Sequence, residues 1–164
     1  MPFTVIPADV EELESGPPEE VVLENAYRKA AKVAATEGSG GLAVLGVDTV
    51  VSLGSTVFGQ PRDVDQAVQM LDALGGREHR VLSGLCVIDG ERITRAAAVT
   101  TVAFAPLPAR RRDWYLATGE WRGRAGGYAI QGAGAVLVEA VHGDYLNVVG
   151  LPVSLLLELL PGLV

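Results

Sequence analysis

Leu42-Ala43-Val44-Leu45-Gly46-Val47-Asp48-Thr49-Val50-Val51 is the stretch from which the rest of the chain is read. An apolar strand, Leu42 to Val47, runs straight into a carboxylate and a hydroxyl. In open α/β sheets ligands sit beyond the carboxyl ends of strands, which would aim Asp48 and Thr49 at a bound molecule. A turn aspartate bonded to its own backbone accounts for the same residues. The local sequence leaves both readings open.

Working outward, Gly54-Ser55 reads as a hairpin turn between Val50 to Leu53 and Thr56 to Phe58. On the other side, Phe3 to Pro7 reads as a short strand and Asp9 to Gly16 as an acidic linker. Pro17 and Pro18 then open a helix with Glu19 and Glu20 in its first turn, Lys29 and Lys32 near its end, and Val22, Ala26, Ala30 and Val33 as an apolar stripe. Asp63 caps a second helix, with Gln66 completing a capping box and Val64, Ala67, Val68, Leu71 and Leu74 at helical spacing up to Gly75-Gly76. Val81 to Ile88 reads as a buried strand, Asp89-Gly90 as a type I′ turn and Ile93 to Phe104 as the returning strand.

Beyond Pro106 and Pro108, a short helix from Ala109 to Ala117 turns Trp114 or Tyr115 inward and leaves Arg110, Arg111 and Arg112 in water. Thr118 to Tyr128 is too rich in Gly and Arg to pack as core, Ala135 to Val141 is a strand, and Val153 to Leu160 closes the chain as a helix. Hairpins mixed with strand–helix units predict one α/β domain over residues 1–164, a mixed β-sheet flanked by helices.

Composition narrows the function. A 49% hydrophobic content supports a continuous core, and 20 acidic against 13 basic residues give a net charge of −7, which repels DNA and RNA polymers. A small anion remains compatible, because a pocket can gather a few cations inside an acidic shell. Cys86, the single cysteine, sits in the apolar run Leu85-Cys86-Val87-Ile88 and reads as an inert core thiol. With two separated histidines besides, a bound metal must rest on oxygens. Met1-Pro2-Phe3 begins no secretory signal, and Pro152, Glu158 and Pro161 break the apolar tail. The chain is therefore expected to be soluble and cytoplasmic, with no membrane partner.

Two later blocks add to the Asp48 signal: Gly126-Gly127-Tyr128-Ala129-Ile130-Gln131-Gly132 and Gly143-Asp144-Tyr145-Leu146-Asn147-Val148-Val149-Gly150-Leu151-Pro152. Taken singly they are ambiguous. Paired glycines can admit a phosphate or simply turn, Gln131 can read a base edge or lie idle on the surface, and Asp144 can bind metal or form a turn. Lys29 is more informative, since the chain has 11 Arg and only two Lys, and a compact ammonium suits a phosphate oxygen where guanidinium is too wide. Two lysines one turn apart are also ordinary helix surface.

Together, and in order, these blocks resemble the Maf family of nucleoside triphosphate pyrophosphatases, as do Val10-Glu11-Glu12, Ala26 to Ala30, Gly59-Gln60-Pro61 and the Ala67 to Leu74 helix. The resemblance runs from Phe3 to Leu160. It implies two lobes around a central cleft (ITPase-like and Maf-like), hydrolysis of a nucleoside triphosphate to monophosphate and pyrophosphate, and Mg²⁺ or a similar ion such as Mn²⁺. By that similarity Asp48 is the general base, Glu11 a metal or water ligand beside Asp48, and Lys29 a phosphate clamp. Gln60, Arg124, Gly126 and Gly127 contact the substrate, and Thr49 and Gln131 match the branch that favours dTTP and UTP over 7-methyl-GTP. A homodimer is also implied.

Three departures stand out. No Ser-x-Ser-Pro-Arg-Arg segment, the family's opening, occurs in the 164 residues; Gln60 stands where lysine is usual; and Arg124 replaces a lysine. The alternative is a non-catalytic relative that binds a nucleotide or a protein partner and restrains cell division and septum formation.

Overall fold

Val81 to Ile88 are buried on both faces, so the strand that carries them, β3 (Glu78–Asp89), lies at the centre of the sheet. The computed structural model describes residues 3–37 and 42–163. β3 pairs on one side with β1 (Val44–Leu53) and on the other with β4 (Arg92–Phe104). β2 (Thr56–Phe58) and β5 (Val138–His142) complete a five-stranded sheet of order β2-β1-β3-β4-β5.

Every described ladder is antiparallel, whereas the sequence predicts a mixed sheet. The reason lies in the hairpin at Gly54-Ser55. It reverses the chain before helix α2 (Val64–Leu74) crosses over, so β2 and β3 run the same way but flank β1 and never meet. The α/β class itself is as expected. A second two-residue turn, Gly90-Glu91, joins β3 to β4. Gly90 has φ 58° and among the described residues no non-glycine residue, Glu91 included, has positive φ, which rules out the predicted type I′ geometry.

Helix α1 (Pro18–Glu37) covers one face, burying Val21 and Val22 against Val50 and Leu82, and Ala26 and Ala30 against Cys86 and Ile88. It approaches unusually closely because the strands below carry glycine. A Cβ at Gly46 would strike the Ala26 carbonyl oxygen, and one at Gly84 the Val22 carbonyl. The opposite face holds the larger core, where Val51, Val81, Val102 and Phe104 meet Ala67, Leu71 and Leu74 of α2 and Tyr115 of α3 (Ala109–Thr118). Tyr115, not Trp114, is the inward residue. Arg112 leaves the solvent-facing triplet to bond both Asp72 carboxylate oxygens, tying α3 to α2.

Other sequence expectations shift. Phe3 to Pro7 forms no strand; it is exposed and has no described ladder partner for its backbone. Thr118 to Tyr128 does enter the core, since Trp121 and Tyr128 are buried in it. Ala133–Leu137 is a 3-10 turn, so β5 begins at Val138. Asp144 caps the unpredicted short helix α4 (Tyr145–Val149) by accepting from the Leu146 N–H, which is its turn reading, and α5 (Val153–Leu159) follows. Asp63 caps α2 through the Gln66 N–H, but Gln66 returns its side chain to the Arg62 N–H, one residue before a capping box would take it. Among the described residues no helix is long and apolar enough to cross a membrane.

The close approach of α1 gives a prediction. Gly84→Ala or Gly46→Ala forces a methyl against helix backbone, and each should lower unfolding free energy in urea by at least about 2 kcal/mol. Gly59→Ala, at a glycine with open space and no positive φ, should stay within about 0.5 kcal/mol of the parent. Equal effects at all three positions would contradict this packing.

Candidate functional site

The β1 ladder does not stop at Asp48. It pairs with β3 from Val44 to Ser52 without interruption, so Asp48 lies within a long strand and not beyond the end of a short one. Strand alternation turns its carboxylate toward α1 and Thr49 toward the other face. Beneath α1 the carboxylate is buried, at 7% exposure.

Two α1 residues one helical turn apart meet it. Lys29 donates from Nζ to Asp48 Oδ1 at 2.7 Å, and Asn25 donates from Nδ2 to Asp48 Oδ2 at 3.1 Å. Lys29 is also paired with Glu12 Oε1 at 2.9 Å. Burial works to lower the Lys29 pKa, but hydrogen bonds and charge attraction from Asp48 and Glu12 outweigh it and hold the ammonium above its ordinary value. Asn25, 1% exposed, holds the preceding segment as well, accepting from the Leu13 N–H at 2.7 Å and donating to the Leu13 carbonyl at 3.1 Å.

A cleft of about 620 Å³ opens beside this cluster. Its wall gathers Lys29, Asp48, Thr49, Gln60, Arg124 and Gln131 from four separate parts of the chain. Side chains from both faces of β1 reach it because β2 pairs only with Val51–Leu53, so the described pairing on that side stops short of Asp48. Thr49 Oγ1 lies 2.8 Å from Ser83 Oγ, which leads to a buried polar chain of Asn147 and Thr100.

The facing wall runs from Gly119 to Gly132 and is pinned from below. The Tyr115 hydroxyl accepts from the Ala129 N–H at 3.0 Å, and burial pushes its pKa up to about 12. The Tyr128 hydroxyl lies 2.9 Å from His79 Nε2, and both rings make edge contacts with Phe104. Glu120 Oε2 accepts from the Gly134 N–H, bracing the turn that carries Gln131. Gly126 and Gly127 are buried behind this wall rather than on it. The Gly126 N–H donates to the Gly59 carbonyl, and with φ 68° and Val51 against its Cα the position excludes a side chain.

Glu11 is not drawn into the cluster. It is exposed, and its backbone carbonyl accepts from Arg28; its neighbour Glu12 reaches Lys29 instead. Sequence reasoning also passed over Asn25, Glu120, Arg122 and the His79–Tyr128 pair. Asn25 did leave a signal, being an amide one position from Ala26 on the buried side of α1, where the stripe calls for apolar residues.

The donor set suits a hard cation only in part. Among the described residues no group of three or more His, Cys, Asp or Glu could hold an ion. Two carboxylates, Asp48 and Glu12, do converge on one ammonium. Lys29 is their positive partner here, and the carboxylate count alone matches Mg²⁺, which uses one or two carboxylates and completes its shell with waters and phosphate oxygens. Such an arrangement can hold a polyanion at the Lys29 and Arg124 positions, present a buried carboxylate beside it, and offer an amide donor and acceptor at Gln131.

A family model described as Maf-like protein matches residues 1–163. The dTTP/UTP pyrophosphatase of Alcanivorax borkumensis is 42% identical over 164 residues, covering 98% of this chain and 84% of that protein. That of Thermococcus gammatolerans is 41% identical, covering 96% and 83%. That of Pyrococcus furiosus is 44% identical over 117 residues, 71% of this chain and 62% of that protein.

Burial gives the pinned wall a pH dependence. It lowers the His79 pKa from 6.5 to about 4, so the unfolded chain binds a proton that the folded one refuses. The resulting stability is full above pH 6.5 and is lost as pH falls toward 4, on the order of 3 kcal/mol. Urea unfolding at pH 7 and pH 4.5 should show this component in the parent and not in His79→Gln. The same loss in both proteins would rule out His79 as its source.

Proposed function

We propose that this chain, which belongs to the Maf family, is a nucleoside triphosphate pyrophosphatase that hydrolyses dTTP and UTP to the monophosphate and pyrophosphate. The observation that carries the reading is the convergence of Asp48, Lys29, Thr49, Gln60, Arg124 and Gln131 on one cleft. The relatives from Alcanivorax and Thermococcus, both dTTP/UTP pyrophosphatases, support the substrate.

In this reading Asp48 positions and deprotonates the attacking water, since its carboxylate is buried and oriented by two donors. Lys29 and Arg124 take phosphate oxygens, and Arg124 forms the stronger planar contact. Gln131 donates to and accepts from the pyrimidine edge through one amide, with Thr49 across the cleft. Asp48 and a carboxylate of the Glu11-Glu12 pair would hold Mg²⁺ or Mn²⁺, which when bound supplies positive charge against the phosphates. The work is house-cleaning on free nucleotides in the cytoplasm, by a homodimer, away from membranes and nucleic-acid polymers. Gln60 is uncharged on the cleft wall, and this favours the second reading, a non-catalytic binder acting in septum formation.

Pyrophosphate release from dTTP, UTP, CTP and 7-methyl-GTP with Mg²⁺ separates the two readings. dTTP and UTP should be turned over fastest, and no release from any nucleotide leaves the binder. Asp48→Asn should lower kcat about a hundred-fold or more in a protein that still unfolds cooperatively. An active Asn variant removes Asp48 as the base. Gln131→Glu should flatten the ranking of the four nucleotides; an intact ranking excludes Gln131 as the base reader.

A further inference from the structure

We propose that Asn25 is a positioning residue that fixes the Asp48 carboxylate for hydrolysis, a role that rests on the reading of Asp48 given above. Asn25 is 1% exposed and does not line the cleft. Every polar atom of its buried amide is engaged. Oδ1 accepts from the Leu13 N–H, while the two protons of Nδ2 go to the Leu13 carbonyl and to Asp48 Oδ2. Only this orientation of the amide works, because the flipped form would set an oxygen against a carboxylate oxygen.

The consequence is geometric. Lys29 holds Oδ1 and Asn25 holds Oδ2, so the plane of the carboxylate is set from both ends. Lys29 is long, partly exposed and shared with Glu12, whereas Asn25 is short and fully enclosed. The rigid half of the clamp is therefore the amide. Through Leu13 the same side chain anchors the backbone next to Glu12, so one residue ties the acidic segment to the strand carrying Asp48.

A merely structural Asn25 would serve Leu13 alone, and two substitutions separate the roles. Asn25→Leu removes all three hydrogen bonds. Asn25→Asp keeps an acceptor for the Leu13 N–H but loses both donors, to the Leu13 carbonyl and to Asp48, and sets a second carboxylate against Asp48. Hydrogen exchange at the Leu13 amide should quicken in Asn25→Leu and stay near the parent rate in Asn25→Asp. kcat for dTTP should fall about tenfold or more in both, with KM within about threefold of the parent.

Parental kcat in Asn25→Asp with a protected Leu13 amide overturns the proposal, as does a loss in Asn25→Leu that appears in KM alone. If Asn25→Asp does not fold, the kcat-against-KM split in Asn25→Leu decides. Asp48→Asn, measured alongside, distinguishes the two failures. If it is active, the base assignment falls. If it is inactive while both Asn25 variants turn over normally, the positioning role falls alone.

Discussion

Backbone-to-backbone contact between α1 and the sheet governs this molecule. Gly84 is the cross-strand partner of Asp48 and Gly46 lies two residues before Asp48 on its own strand, and neither has room for a single methyl beneath the helix. A helix packed on ordinary side chains would sit several ångströms higher. Short groups such as the Asn25 amide would then fall short of Asp48. The two glycines therefore act through distance, allowing a buried carboxylate to be met by both an amide and an ammonium from one helix row.

The cleft follows from a second constraint, the limited extent of β2. Pairing on that side of β1 covers Val51–Leu53 and leaves Asp48 and Thr49 accessible along the strand's flank. Adjacent residues on opposite faces can then serve one ligand site, which a strand paired on both sides would prevent. The wall across from them is irregular in backbone yet firmly held. Tyr115, Tyr128 with His79, and Glu120 each anchor a different point of it from the core or rim. Irregular segments commonly carry function when a rigid scaffold positions them, and here the scaffold is the aromatic core under the loop.

Much of the frame could be read in advance from local rules. The Asp63 cap and the period of Ala67, Leu71 and Leu74 specified α2, and the Gly54-Ser55 turn specified the first hairpin. Asp48, Lys29, Thr49, Gln60, Arg124 and Gln131 were singled out, and all line the cleft. The misreadings share one cause: they concern partners distant in sequence. Local sequence makes Asp48 a strand end because its partner in β3, Gly84, which carries the strand onward, lies more than thirty residues away. Thr118 to Tyr128 looks too rich in Gly and Arg to pack as core, a composition that hides Trp121 and Tyr128, which only the fold brings to the core. Glu11 and Glu12 are indistinguishable locally, and the Leu13 contacts to Asn25 decide which carboxylate reaches Lys29.

Periodicity, capping and turn chemistry depend on neighbours along the chain, so the amino-acid order was enough to establish the class, most elements and the family resemblance. Direction of pairing, burial of the 118–128 loop, the place of Gly126 and Gly127 behind the cleft wall, and the hold of Asn25 on Asp48 depend on neighbours in space. These were settled only when the strands stacked and α1 came down onto Gly46 and Gly84, because a hydrogen bond reaches about 3 Å and so depends on separations that residue order leaves open.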